Sequence, residues 1–187
     1  MKDRYCFYIN QEIKKFTVEE EFDCFFFSPK LFKRKLHKGL YRQSDLLYFF
    51  WFLVTLGKYK IFYILDKNTN EIAHFSNILP SFFKFPFMNK SDVQIANCWT
   101  YAFYRGKGLY PFALAQISNK YKGKKIWIGS KLTNKTSIRA IEKSGFKRVF
   151  DVEKRTILVR YDEIGLKFVF SFCGNFFTSP NISDDPA

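Results

Sequence analysis

DVQIANCWTYAFYRGKGLYPFALAQ, residues Asp92 to Gln116, decides how the rest of this chain is to be read. Val93 to Tyr104 is an apolar run of strand character, Arg105-Gly106-Lys107-Gly108 is a basic glycine turn, and an apolar helix opens near Tyr110-Pro111. Pro111 fits a first helical turn, where its missing N–H costs nothing. A strand that passes through a glycine turn into a helix gathers backbone N–H groups and the positive end of the helix dipole at one point, which suits a phosphate or pyrophosphate. Arg105 and Lys107 add full charges there. The turn has neither the third glycine nor the downstream acid of a dinucleotide fingerprint, and neither the length nor the following Ser/Thr of a Walker A loop. The plain alternative is a surface connection that happens to hold two glycines.

A second pattern follows. Asn134-Lys135-Thr136-Ser137 opens a helix with Asn134 as its cap, and Lys143-Ser144-Gly145-Phe146 closes it, with Gly145 just past the end and a new strand beginning at once. One strand, Lys125 to Ile128, lies between the two patterns.

In this order the two segments resemble the GNAT superfamily of acyl-CoA-dependent N-acetyltransferases. The family's phosphate turn, Arg/Gln-x-x-Gly-x-Gly/Ala, is matched by Arg105-Gly106-Lys107-Gly108-Leu109-Tyr110, and its second signature by Asn134 followed by Lys143-Ser144-Gly145-Phe146. The resemblance covers residues 92 to 150; the N-terminal half matches in its order of elements. Two positions depart from the pattern. Tyr110 stands where the turn has a small residue, and its ring could cover the phosphates. Ile141 stands where many members carry a tyrosine general acid.

The resemblance implies an α/β fold of the α+β kind: the GNAT fold, a mixed, mostly antiparallel central sheet of six to seven strands flanked by helices. It implies acetyl-CoA as co-substrate, no metal, and direct attack of a primary amine on the thioester. Trp99, Thr100 and Tyr101 are implied at the splayed part of the central strand. Arg105, Gly106, Lys107, Gly108, Leu109 and Tyr110 are implied around the diphosphate, and Asn134 and Ser137 near the pantetheine arm. A homodimer is open.

An attacking amine with a pKa of ~10 must first lose a proton. No carboxylate lies on the central strand beyond Asp92 at its far end. His74, on the preceding strand, is the candidate base because an unperturbed imidazole titrates in the working range; a strand histidine without chemistry is the alternative. Tyr101 and Tyr104 are candidate proton donors in place of the missing tyrosine, or else core residues. Cys98 reads as a small buried hydrophobe. The acceptor side offers phenylalanines (Phe25 to Phe27, Phe32, Phe82, Phe83, Phe85, Phe87) beside lysines, which suits a small amine or a nucleotide-linked amino sugar better than a lysine-rich peptide. A GNAT-fold acyl-CoA-binding or assembly module without catalysis is the second reading.

Length, charge and cysteines bound these readings. The chain has 187 residues, 25 Phe, 11 Tyr and a net charge of +14. The length fits one domain, residues 1–177, with a disordered tail at 178–187. The charge asks for an anionic partner: nucleic acid, an anionic membrane face, or a phosphate-bearing ligand. No nucleic-acid-reading motif is visible, which disfavours the first. Cys6, Cys24, Cys98 and Cys173 are far apart, with only His37 and His74 beside them, so zinc is disfavoured. Free thiols and the lack of a recognisable secretion signal point to the cytoplasm. Leu46 to Leu56 is about half the ~20 residues of a spanning helix and reads as a buried one.

Along the chain, strands are expected at Tyr5–Ile9, Lys60–Leu65, Glu71–Leu79 and Phe146–Val152. The second and third form a hairpin around Asp66–Asn70. Ser28-Pro29 predicts a helix carrying Leu31, Leu36 and Leu40, and Ser44 or Asp45 a second one ended by Gly57. Pro80 to Lys90 reads as a loop. Leu166 to Phe172 alternates like a last strand, with Thr156 to Tyr161 as a competitor.

Overall fold

Short runs of β-branched and aromatic residues set out the strands: Arg4–Asn10 (β1), Phe22–Phe27 (β2), Lys60–Asp66 (β3), Ile72–Pro80 (β4), Val93–Thr100 (β5), Ile126–Lys131 (β6), Phe146–Val159 (β7) and Phe168–Thr178 (β8). Among the described residues three α-helices accompany them: Asp45–Val54 (α1), Leu109–Lys120 (α2) and Lys135–Lys143 (α3). The structure, a computed structural model, describes residues 4–12, 14–33, 36, 45–80, 88–159 and 168–178; for 45, 47, 153–159 and 168–178 it describes the backbone only.

The strands form one mixed sheet in the order β2-β3-β4-β5-β6-β1-β7-β8. Only β5 and β6 run parallel; every other neighbouring pair is antiparallel. The N-terminal strand thus lies inside the sheet, between β6 and β7, a placement that no local pattern in its sequence announces. Alternation along the strands divides the core between the two faces. Phe62, Ile64, Ile95 and Ile128 meet α2 and α3 through Leu109, Phe112, Leu114 and Ile141. Ile61, Tyr63 and Phe75 turn the other way and meet α1 through Tyr48.

The second helix, the hairpin and the two motif helices lie where the sequence places them. Three stretches differ. Phe22–Phe27, whose phenylalanines 25 to 27 the sequence analysis puts on the acceptor side, is an edge strand: Phe26 faces Phe62 with ring centroids 4.9 Å apart, and Phe25 faces Tyr63 at 5.8 Å. Cross-strand aromatic pairs of this kind hold a strand where propensity alone is ambiguous. The helix expected after Ser28-Pro29 is not formed in its described part. Lys30 and Lys33 exchange backbone hydrogen bonds of 2.9 and 3.1 Å in a turn; residues 34–35 and 37–40 lie outside the described residues. The central strand stops at Thr100, and Ala102–Tyr104 is a single 3₁₀ turn. At the C-terminal end both competing stretches are used, since β7 runs on to Val159 and pairs with β8. Most of the loop expected at 80–90 (81–87) and of the tail (179–187) lies outside the described residues.

Gly145 ties these parts together. Its φ of +91° lies in the left-handed region, and its carbonyl accepts hydrogen bonds from the N–H groups of Gln11 and Glu12, both at 3.3 Å. A Cβ at this position would collide with the carbonyl oxygen of Glu12. Both the backbone angle and the close approach therefore call for glycine.

Candidate functional site

The site is made by a failure of pairing. β5 holds β6 in register only from Val93 to Ile95, against Ile126 to Ile128. At the next residues a bulge interrupts its pairing with β4: Phe75 faces Trp99 and Asn77 faces Ala96, so Asn97 and Cys98 together oppose Ser76. Asn97 takes a φ of +50°, as the extra residue of such a bulge often does. Beyond this point β5 follows β4 and turns away from β6, and a cavity of about 760 Å³ opens between them.

One wall of the cavity is Asn97 to Thr100, and the opposite wall is Gly129 to Lys131. The glycine turn and the start of α2 close one end; Asn134, Thr136 and Ser137 at the start of α3 flank it. Gly106 and Gly108 have φ of +86° and +73°, and nothing stands within 4 Å of where their Cβ atoms would be. The turn is therefore open to an approaching ligand, and Gly108 is the residue that caps α2. Asn134 caps α3 by accepting a hydrogen bond from the Ser137 N–H at 3.2 Å. Arg105 lies over the Trp99 ring, 5.2 Å from its centre, and its Nε donates to the Thr100 carbonyl at 3.3 Å. The guanidinium is thus held on a lining residue of the cavity, and Arg105 is exposed.

Of the residues singled out in the sequence, Trp99, Thr100, Arg105, Gly106, Gly108, Leu109, Tyr110, Asn134, Ser137, His74 and Tyr104 line this cavity. Lys107 and Tyr101 are not in its walls. Lys107 points to the segment before β2, where its Nζ lies 2.7 Å from Glu21 and 3.7 Å from Glu19, and it passes over the Phe22 ring. The hydrogen bond from Lys107 holds the Glu21 carboxyl below its usual range, and the same contact raises the lysine. Lys107 is a strut between the glycine turn and the sheet edge, so the cation expected beside Arg105 is committed elsewhere. Tyr101 packs between the two faces of the core, against both hydrophobic clusters.

The candidate acid and bases change character in place. His74 is fully buried, with Nδ1 2.7 Å from Thr100 Oγ1, Nε2 2.8 Å from Ser76 Oγ and its ring stacked on Tyr110. Burial lowers its pKa to about 3, which removes the ground on which it was chosen, a titration in the working range. Tyr104 donates its hydroxyl hydrogen to Asp66 Oδ2 at 3.0 Å and closes the β3–β4 turn; its proton is committed there. Ile141 is fully buried in the core.

A different tyrosine of the cavity wall has neutral groups about its hydroxyl. The Tyr110 hydroxyl stands 3.4 Å from Ser137 Oγ and meets the Cys98 thiol, which also meets Ser76. Burial pushes the Cys98 thiol up to about 11, so it stays protonated, and holds the Tyr110 phenol well above its ordinary value. Thr100, His74, Ser76, Cys98, Tyr110 and Ser137 thus form a connected row of neutral polar groups under the opening. Sequence reading missed Ser76 and Asn97. Asn97 carried a usable signal, an asparagine within an apolar strand run, since asparagine is enriched at positive φ. Ser76 carried none. No aspartate or glutamate lines the cavity among the described residues.

Solved structures supply the comparison. A GCN5-related N-acetyltransferase from Sphaerobacter thermophilus matches 81% of this chain and 50% of its own, with a TM-score of 0.56 at 8% identity. A GNAT-family acetyltransferase from Colwellia psychrerythraea matches 79% of this chain and 53% of its own, at 0.56 and 11%. A tandem GNAT protein from the clavulanic acid biosynthesis pathway matches 79% of this chain and 50% of its own, at 0.55 and 9%. The chain spans about half the length of these structures. No protein-family model and no curated protein matches it. At such identities the likeness is one of fold, and the chain has the GNAT fold.

Proposed function

We propose, from the GNAT fold and the open splay at Asn97, that this chain transfers an acetyl group from acetyl-CoA to a primary amine. The observation that carries the reading is the coincidence, at one end of the cavity, of an unobstructed glycine turn, a helix N-terminus and Arg105. Backbone N–H groups of the turn and the Arg105 guanidinium hold the CoA diphosphate. The pantetheine arm lies along the part of β5 that has left β6, with Asn134 and Ser137 on its other side, and it brings the thioester to the bulge.

There the amine nitrogen attacks the carbonyl carbon, the C–S bond breaks, the amine gives up a proton and the sulfur takes one. The part of β5 past Asn97, which does not pair with β6, supplies the backbone N–H for the developing oxyanion. Tyr110 is the group we assign to protonate sulfur: the residue lines the cavity, its hydroxyl stands by Ser137, and Ile141 leaves that role open. His74 remains neutral and holds Thr100 and Ser76 in place on either side of the bulge. With no carboxylate among the described lining residues, water takes the amine proton. A small amine or an amino sugar carried on a nucleotide is the acceptor class, since the basic surface repels cationic peptides.

The same lack of a carboxylate favours a second reading, a GNAT-fold module that binds acyl-CoA without turning it over. Two measurements on one sample separate them. Acetyl-CoA at ~100 times its Kd stabilises the protein by ~2.7 kcal/mol in either case. Release of free CoA thiol stimulated by nucleotide-linked amino sugars supports transfer; a melting shift with thiol release that no amine stimulates supports the binding module. Absence of any shift overturns both.

A further inference from the structure

The run from Leu46 to Gly57 contains no charged residue, and acetyl transfer makes no use of it. On the inner face of α1, Tyr48 and Thr55 are buried and Trp51 and Phe52 pack on the core beneath. The outer face is equally apolar. Leu46, Phe50 and Leu53, which fall within an arc of about 60° at 3.6 residues per turn, remain 75, 49 and 51% exposed. Leu56, just past the helix, is 83% exposed. Phe32, 95% exposed, belongs to the neighbouring segment, which is fixed to the same cluster by Leu36 and by its N–H bond to the Tyr63 hydroxyl. A helix that is apolar all round is one whose outer side is meant to be covered.

Charge selects the cover. Between Cys24 and Leu65 the sequence carries eight lysines and arginines against one acid, Asp45, which is half of the chain's net charge of +14. Lys30 and Lys33, on either side of Phe32, are exposed, as is Lys58 beyond Leu56. A second copy of the chain would bring the same positive segment into the contact and be repelled. A nucleic acid would satisfy the lysines and leave the leucine and phenylalanine stripe in water. An anionic bilayer satisfies both, because its phosphates meet the lysines and its acyl boundary accepts the apolar side chains. No described helix is long and apolar enough to cross a membrane, so α1 would lie in the plane of the interface.

We propose that the outer face of α1, together with Phe32, docks on the surface of an anionic phospholipid bilayer. Co-sedimentation of the full chain with vesicles tests it. Binding to vesicles of equal parts phosphatidylcholine and phosphatidylglycerol should exceed binding to phosphatidylcholine alone by about tenfold or more and should fall with added salt. The triple variant Leu46→Ser, Phe50→Ser, Leu53→Ser should lose about tenfold of that binding with circular dichroism and melting unchanged. Should that variant fail to fold, Lys30→Glu, Lys33→Glu and Lys58→Glu, all at exposed positions, must abolish the preference for phosphatidylglycerol. Equal binding to the two vesicle types, or serine and glutamate variants that bind like the parent, would overturn the proposal. So would a dimer in sedimentation velocity that the serine variant separates, which assigns the face to a second copy.

Discussion

The two ends of β5 belong to the same strand and obey different rules. From Val93 to Ile95 the strand has a neighbour on each side, and Val93 and Ile95 are buried in the core. From Asn97 to Thr100 it keeps β4 and loses β6, and its residues line a cavity. The change takes place over one bulge. A paired strand satisfies its backbone groups internally and so has nothing to offer a ligand; a strand that has parted from one neighbour has N–H and C=O groups to spare. Stability is concentrated at the first end and recognition at the second.

Truncation at the paired end should have the largest effect. Ile126→Ala, on β6 opposite Val93 and outside the cavity walls, removes a fully buried side chain and should cost about 3 kcal/mol of stability, read from urea unfolding. The affinity for acetyl-CoA of whatever remains folded should be unchanged. A loss of affinity as large as the loss of stability would show that the two ends are not separable.

At the open end the expected effects reverse. Tyr110→Phe keeps the ring stacked on His74 and removes only the hydroxyl near Ser137 and Cys98. Turnover should fall about a hundredfold while melting temperature and acetyl-CoA affinity stay near those of the parent. An unchanged rate would exclude Tyr110 as the proton donor.

His74 belongs to both ends, since it ties Thr100 to Ser76 across the bulge. Its pKa is about 3 folded, against an ordinary value of 6.5, so the unfolded chain takes up the proton first as pH falls. The stability associated with the neutral ring is complete above pH 6.5 and declines below it, towards pH 3. Between pH 6.5 and pH 5 that decline amounts to about 2 kcal/mol. His74→Gln, which does not titrate, should flatten the acid side of the stability profile by about this much. A profile as steep as the parent's would mean that the ring is charged in the folded protein.

What could be read in the sequence follows the same division between near and distant partners. The glycine turn, the Asn134 cap, the end of α3 and the β3–β4 hairpin are set by neighbours within a few residues, and the sequence places all of them. Phe22–Phe27 becomes a strand only because β3 lies alongside with Phe62 and Tyr63, about forty positions on. The Ser28-Pro29 signal has nothing local to contradict it, yet the described residues after it make a turn. The place of β1 between β6 and β7 depends on registers more than a hundred residues apart. His74 looked like a base because its ordinary pKa was the only one the sequence supplies; the two hydroxyls and the burial that disqualify it come from tertiary structure.

Lys107 and Arg105 give the smallest and most pointed test, because the sequence makes them equivalent and the structure does not. Arg105 lines the cavity, braced on Trp99 and on the Thr100 carbonyl, with N–H groups to spare. Lys107 is held by Glu21 and Glu19 on the far side of the turn, and in the folded protein its charge is largely offset before any ligand arrives. Arg105→Ala should therefore weaken acetyl-CoA by about tenfold, the worth of a hydrogen bond to a charged group. Lys107→Ala should leave the affinity nearly unchanged, since it removes one positive charge and frees two negative ones that lie away from the cavity. Titration of both variants by calorimetry at one salt concentration decides the matter. Equal losses would mean that Lys107 leaves its glutamates when the diphosphate binds, and that the turn rearranges to receive it.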